Sequence, residues 1–333
     1  MKILIAGLGS IGRRHLRNLL TLGEWDLLLY RTYQSTLPED ELAGFPVETS
    51  LERALGHRPE AVIVANPTAL HMEVAIPAAQ AGCHIFLEKP LSHSLKRVEE
   101  LQEAVLGGGG QVLVGYQFRF HPGLQQVSRL LQERAIGRPV SVRAHWGEYL
   151  PGWHPWEDYR KGYSAQAGLG GGVILTLCHP FDYLRWLLGE IDELWAFAGH
   201  LSDLELEVED SAEIGLRFAS GVLGSLHLDY NQRPSSHHLE IIGSQGTLRW
   251  DNADGAVRVY RAEMGEWEHY PPPQGFERND MFLAQMRHFL EVVQGKVSPL
   301  CSLEDGIEAL RLAIAAHASQ DRREIIHLGK KLV

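Results

Sequence analysis

Two short segments carry residue types that could do chemistry together. Gly7-Leu8-Gly9-Ser10-Ile11-Gly12 has glycines at the spacing that brings backbone close to a pyrophosphate, and Leu87-Glu88-Lys89-Pro90 presents a primary amine before a proline. The glycine segment follows an apolar run at residues 2–6 and opens a helical pattern at 11–22, the context a dinucleotide fingerprint requires. Gly7, Gly9 and Gly12 would shape the turn, while Ser10 and Ile11 would begin a helix whose unpaired N–H groups face the anion. Taken without that context the glycines could equally make a structural turn.

The coenzyme type is read from the end of the second strand. NAD enzymes usually place an acidic residue about 20 positions past the fingerprint, on the ribose 2′-hydroxyl. Here the chain runs Leu29-Tyr30-Arg31-Thr32 with no carboxylate. Arg31 could pair with a 2′-phosphate and stack on adenine, so NADP is expected; Arg31 as a solvated surface charge would leave NAD. Lys89 is expected at the C-terminal end of a strand, where ligands of doubly wound sheets bind. Burial and the positive nicotinamide ring would both lower its pKa towards acid/base use. The alternative is a surface Glu88–Lys89 ion pair.

These segments need elements to position them. Short β-rich runs alternate with helical stretches up to residue 121: strands at 2–6, 26–30, 61–65, 84–87 and 111–115, with helices at 11–22, 51–55, 72–81 and 95–106. Glycines 107–110 stop the last of these helices. Beyond residue 121 the pattern changes to a helix at 122–133, a strand at 140–146, an aromatic- and glycine-rich loop at 149–172 and a helix at 173–188. Closely spaced β runs follow at 191–199, 211–218, 222–230, 238–242, 246–250 and 256–260, then helices at 279–294 and 303–319. The expected architecture is α/β: a Rossmann doubly wound parallel sheet at 1–121 and an α+β domain at 122–333 with a mostly antiparallel sheet.

Bulk properties exclude several classes. A formal charge of −11 with no Lys/Arg block argues against a nucleic-acid partner. No apolar run approaches the length of a membrane helix, and three scattered cysteines, Cys83, Cys178 and Cys301, suit a reducing compartment, so a cytoplasmic protein is expected. Cys178 beside His179 is not a nucleophile–base pair, since adjacent helical residues diverge. His237-His238 and the region of Trp153-His154 lack zinc-ligand spacing, and no metal is expected.

Along nearly its whole length the chain resembles the glucose–fructose oxidoreductase / inositol dehydrogenase / MocA family. The matches run in order: GLGSIG at 7–12, VANPTALH at 64–71, AGCHIFLEKPLS at 81–92 and GYQFRFHP at 115–122. They continue as GGGVILTLCHPFDYLRWLLG at 170–189, IIGSQGTLRW at 241–250 and SPLCSLEDGIEAL at 298–310. The resemblance implies that Lys89 is the general acid/base on a substrate hydroxyl, and that Asn66, Pro67 and His71 lie against the cofactor, with Glu88 beside Lys89. It also implies an open-faced sheet in the second domain, often used to form a homodimer or homotetramer.

The family helix at 173–188 typically carries an Asp and a His one turn apart. Here His179 is present, but Leu175 and Thr176 stand where the aspartate would be. On a continuous helix Thr176, His179 and Asp182 fall three apart along one side, so Asp182 could orient His179 and Thr176 could touch substrate. A core role for His179 is the alternative. Arg119 and His121 could face a cleft or cap the next helix, and Trp153, Trp156, Tyr159 and Tyr163 could form a wall for stacking a sugar or simply pack the loop. The expected activity is hydride transfer between nicotinamide and a secondary alcohol or ketone of a sugar, polyol or related molecule, with Lys89 moving the proton and His179 positioning the oxygen. Rival expectations are a glycoside hydrolase or lyase that recycles its nicotinamide in place, and a regulatory protein that binds NAD(P) without turnover.

Overall fold

The computed structural model describes all residues except 24, 34–36, 38–39, 156 and 330–333. Two compact units result: Met1–Gln117 with Gly168–Gly170 and Glu277–Leu310, and Phe118–Ala167 with Gly171–Phe276 and Arg311–Val333. A single cut at residue 121 is thus too simple, because the chain returns to the first unit near its end. The returning helix, Arg278–Val293, packs on the helix Ser10–Leu22 that follows the glycine turn. Arg14 lies over the Phe282 ring at 4.5 Å, and Asn279 Nδ2 donates to Asn18 Oδ1 at 2.9 Å. Helical periodicity reveals that such a helix has a buried face, but not which sheet or helix covers it.

The first unit is built on six parallel strands: β1 (Lys2–Ala6), β2 (Asp26–Tyr30), β3 (Val47–Glu48), β4 (Ala61–Val64), β5 (His84–Leu87) and β6 (Val112–Val114). Their order is β3-β2-β1-β4-β5-β6. The order reverses between β1 and β4, the switch point at which such sheets open a crevice beyond the strand ends. Residues 3–6 and 61–64 are fully buried, which explains why these strands read as unbroken apolar runs rather than alternating ones. The two-residue strand β3 is an addition to the expected set; two residues are too few to leave a periodic signal.

The second unit holds a sheet of nine strands: β7 (Pro139–Gly147), β8 (Ile191–Gly199), β9 (Ser211–Phe218), β10 (Leu223–Asp229), β11 (Ser236–Gly243), β12 (Gly246–Asp251), β13 (Val257–Arg261), β14 (Glu266–Tyr270) and β15 (Ile326–His327). The order is β14-β13-β12-β11-β7-β10-β9-β8-β15, antiparallel throughout except for the parallel pair β7 and β10. In β9 the residues Ala212, Ile214, Leu216 and Phe218 are buried while Glu213 and Arg217 are exposed, the alternation of a sheet with one packed face. β14 escaped the sequence pattern because its run Glu-Trp-Glu-His-Tyr alternates charge with aromatics near the sheet's edge. Among the described residues no helix is long and apolar enough to cross a membrane.

Candidate active site

The glycine turn divides its work among three positions. Gly7 has φ +93°, and a Cβ there would run into the backbone of Ala65 and Asn66 at the end of β4. A Cβ on Gly12 would strike the Gly7 carbonyl oxygen, so this glycine lets the helix press onto the turn. A Cβ on Gly9 would meet nothing within 4 Å. Gly9 is also the N-cap of the helix Ser10–Leu22, which has no side-chain cap and no acidic residue in its first turn. Its leading N–H groups, including those of Ser10 and Ile11, and its positive dipole end are therefore available to an anion.

Asn66 and Pro67 form the turn after β4. Asn66 Nδ2 donates to the Leu70 carbonyl at 2.9 Å, whereas its buried Oδ1 has no hydrogen-bond partner. His71 lies behind them, with Nε2 3.0 Å from the Asn66 carbonyl and Nδ1 3.3 Å from that of Leu91. Burial pushes its pKa down. His71 thus lies between the turn at Asn66 and the turn after Lys89, and a ring N–H donates to one of those two carbonyls. An open face at Gly9, an uncapped helix start and an orphaned amide oxygen at the neighbouring strand end together fit a pyridine dinucleotide.

Lys89 lies two residues past the end of β5, at the same C-terminal end of the parallel strands as the glycine turn, and is half-buried. The expected alternative of a surface Glu88–Lys89 pair does not describe Glu88, whose carboxyl is buried. Its Oε1 lies 2.6 Å from His15 Nε2 on the helix Ser10–Leu22, and its Oε2 accepts from the Lys89 backbone N–H at 3.1 Å. Gly115 makes room for it, because a Cβ there would press on the Glu88 side chain. Glu88 therefore anchors the strand end that carries Lys89. His15 is the partner the sequence reading missed; its only signal was a histidine on an apolar helix face. Arg31, at the end of β2, is 6% exposed and its guanidinium stacks on Tyr33 at 4.6 Å, so it is not a solvated charge.

In the second unit the expected helix at 173–188 is broken. Val173–Thr176 forms one turn, Leu177 leaves helical geometry with ψ at 35°, and a new helix runs His179–Leu188. Pro180 is the reason: it has no N–H to return to the Thr176 carbonyl, and in a continuous helix its ring would clash with that carbonyl. The expected row of Thr176, His179 and Asp182 along one helix face is therefore corrected. Asp182 is held by Arg119: Nε donates to Oδ1 and Oδ2 at 3.1 and 3.0 Å, and Nη2 to Oδ1 at 2.7 Å, with the two side chains 4% and 1% exposed. These two expected substrate contacts thus bind each other, and Asp182 anchors the guanidinium.

His179 itself is 1% exposed, edge-on to Phe118 at 5.0 Å and tilted over Trp146 at 5.4 Å. Trp146 stacks in turn on His237 at 4.3 Å, whose Nε2 lies 3.2 Å from the Tyr183 hydroxyl. Thr176 is equally buried. His121 caps the helix Pro122–Gln132, its Nδ1 accepting from Gly123 N–H at 3.0 Å. In the aromatic loop, Trp153 packs edge-on to Tyr230 at 5.6 Å and the Tyr159 hydroxyl accepts from Glu205 N–H at 3.1 Å. Tyr163 is half-buried in a short 3₁₀ turn, and Trp156 lies outside the described residues. All three cysteines are buried thiols outside any disulfide, and burial pushes the Cys83 thiol up to about 11.

Comparison with known proteins agrees with this arrangement. Residues 1–116 match the model of an oxidoreductase family with an NAD-binding Rossmann fold, and residues 124–249 match the GFO/IDH/MocA C-terminal domain. The chain is 30% identical to myo-inositol 2-dehydrogenase of Thermotoga maritima, covering 98% of each protein. It is 26% identical to scyllo-inositol 2-dehydrogenase (NAD(+)) of Bacillus subtilis, over 94% of this chain and 92% of that one. The fold is shared with levoglucosan dehydrogenase in complex with NADH, at a TM-score of 0.88, 20% identity and 99% coverage of both chains. The chain belongs to the GFO/IDH/MocA family of oxidoreductases, with an NAD-binding Rossmann fold as its first part.

Proposed function

We propose that the protein transfers hydride between a nicotinamide coenzyme and a secondary alcohol or ketone of a polyol or sugar, with Lys89 as the acid/base. The observation that carries this reading is the anchored strand end. Glu88 is turned inward onto His15, which fixes the backbone of Lys89 at the same end of the parallel strands as the glycine turn. The coenzyme, when bound, supplies the hydride acceptor or donor at nicotinamide C4. Gly7, Gly9 and Gly12 with the N–H groups of Ser10 and Ile11 would hold its pyrophosphate, and Asn66 and Pro67 would flank it. Lys89 would take the hydroxyl proton on oxidation and return it on reduction. The sugar and inositol dehydrogenases among its relatives support the substrate class.

The test is Lys89→Met against a panel of inositols, anhydrosugars and sugar acids. The variant should retain coenzyme affinity and lose about 10²- to 10⁴-fold in kcat. Parent-like turnover by Lys89→Met on any substrate the parent uses would remove Lys89 from the chemistry.

The same reading gives His179 the hold on the reacting oxygen. His179→Asn should raise KM for the polyol with coenzyme affinity unchanged. A core histidine would instead lower thermal stability and leave KM alone. Tyr163 and Thr176 complete the proposed substrate contacts.

NADP over NAD rests on Arg31, buried at the end of β2 with no carboxylate in Tyr30-Arg31-Thr32. The coenzymes in the relatives' names weigh towards NAD(H). Arg31→Ala should lower kcat/KM for NADP more than for NAD; equal losses would assign NAD. The buried cysteines, outside any disulfide, support a reducing, cytoplasmic setting. Exposed Trp195 and Phe197 on β8 support assembly into a homodimer or homotetramer, which sedimentation velocity would resolve.

A further inference from the structure

Three histidines far apart in sequence stand in one row across the second sheet. The register sets His227 of β10 beside His145 of β7, and His145 beside His238 of β11. Their rings stack at 4.6 and 4.9 Å, with interplanar angles of 14° and 11°. Glu213 of β9 lies opposite His227, and Asp251 of β12 lies opposite His238, so the row ends in a carboxylate on each side. None of these residues enters the site described above.

At the His227 end the donor atoms converge. His227 Nδ1 lies 2.6 Å from Glu213 Oε1, and its Nε2 lies 3.0 Å from Asp229 Oδ2. Carboxylates only accept, so both contacts are attractive only with something positive between each nitrogen and its oxygen. With the ring N–H given to Glu213, the gap between Nε2 and Asp229 calls for a second ring proton or a cation. Asp229 is preset for this: its Oδ1 accepts from the N–H groups of Asn231 and Gln232 at 2.6 and 2.7 Å, which turns Oδ2 to the ring. Gln232 Oε1 in turn lies 2.5 Å from His145 Nε2. A Cβ on Gly147 would collide with both Asp229 Oδ2 and Gln232 Oε1, so the glycine leaves the space these oxygens occupy. His145, His227 and Asp229 each offer one donor atom within 4.8 Å of the others.

We propose that His145, His227 and Asp229 form a binding site for a first-row divalent transition-metal ion such as Zn²⁺, with Gln232 Oε1 as an adjoining oxygen donor. Two imidazoles and a carboxylate are a donor set that such ions favour. Glu213 behind His227 is the carboxylate–histidine support that fixes a ligating tautomer, with Nε2 left to the metal. Bonds of about 2.0–2.2 Å place tetrahedral ligand atoms about 3.3 Å apart. The wider separations in the cluster therefore close by up to about 1.5 Å on binding, which side-chain rotation supplies at a partly open sheet face. The linear sequence gave no zinc spacing because the ligands come from two strands joined only by the parallel pairing of β7 and β10. A bound ion would clamp the two strand ends that lead into the aromatic loop and into the turn 230–235.

The test uses the whole protein without a histidine tag, stripped by chelator and returned to metal-free buffer. Zn²⁺ is titrated by isothermal calorimetry, and Co²⁺ absorption reads the coordination. The expected result is one saturable high-affinity site per chain. His145→Gln and His227→Gln should each weaken it about tenfold or more, and Glu213→Gln about tenfold. Asp229→Asn keeps the acceptor for the two backbone N–H groups, so it should fold normally and still bind the ion more weakly. His238→Gln, the neighbour in the row that is no ligand, should match the parent. Absence of saturable binding by the parent, or parent-like affinity in His227→Gln, overturns the proposal. Equal loss in His238→Gln and His145→Gln overturns the ligand assignment.

Discussion

His15 Nε2 and Glu88 Oε1 lie 2.6 Å apart, both side chains buried, and so join the glycine-turn helix to the strand end that carries Lys89. One hydrogen bond thereby couples the coenzyme cradle to the acid/base residue. His15→Leu fills the space but strands a buried carboxyl oxygen, which costs about 1–3 kcal/mol. The melting temperature should fall, and coenzyme titration by nicotinamide fluorescence should show weaker binding. Glu88→Gln, which keeps an amide group against His15, should lose less of both. A His15→Leu protein that melts lower but binds coenzyme like the parent would confine the pair to stability.

Gly9 and Gly12 separate folding from coenzyme binding. An added methyl at Gly9 points into open space, whereas one at Gly12 meets the Gly7 carbonyl. Gly9→Ala should therefore keep the parent's melting temperature, yet bind the dinucleotide at least tenfold more weakly, ~1.4 kcal/mol or more. Gly12→Ala should lower the melting temperature as well, because the helix must lift off the turn. Calorimetric titration and thermal melts on both variants check this, and an unstable Gly9→Ala would contradict it.

What the sequence made legible follows the physics of each element. β1, β2 and β5 end where expected because buried strands read as apolar runs closed by glycine, arginine or the Glu-Lys-Pro turn. The shape of the glycine turn and the place of Lys89 past β5 were legible because each lies in consecutive residues. His15–Glu88 and Arg119–Asp182 were not: they span 73 and 63 positions, and only the assembled fold brings them together. The same holds for the His227–His145–His238 row, which exists only through strand register. The break before His179 was written in Pro180, but apolar periodicity on both sides masked it.

Arg119 and Asp182 make a buried two-oxygen ion pair, so each partner protects the other's charge. Removing one charge should cost about 3–5 kcal/mol, because the remaining ion stays buried without its counter-charge. Asp182→Asn should thus lower the denaturation midpoint severely. The double variant Arg119→Met with Asp182→Leu should recover much of that loss. Urea denaturation of the parent, Arg119→Met, Asp182→Leu and the double variant measures the coupling. Additive losses would mean that the two side chains do not act as a pair.

His121 supplies a pH dependence with a defined sign. Burial lowers its pKa to about 4, with the ring packed against Trp250 and Phe276 at 5.0 and 5.2 Å. In the unfolded chain a histidine titrates near about 6.5, so between the two values the unfolded state binds the extra proton. The contribution is fully present above about 6.5 and is lost as pH falls towards about 4, reaching about 3 kcal/mol. His71, also lowered by burial, acts with the same sign. The urea midpoint should therefore drop between pH 7 and 4.5. His121→Asn keeps a good acceptor at the helix N-cap and removes the titration, so its midpoint should fall less steeply over that range. Identical acid limbs for parent and His121→Asn would assign the loss to other groups.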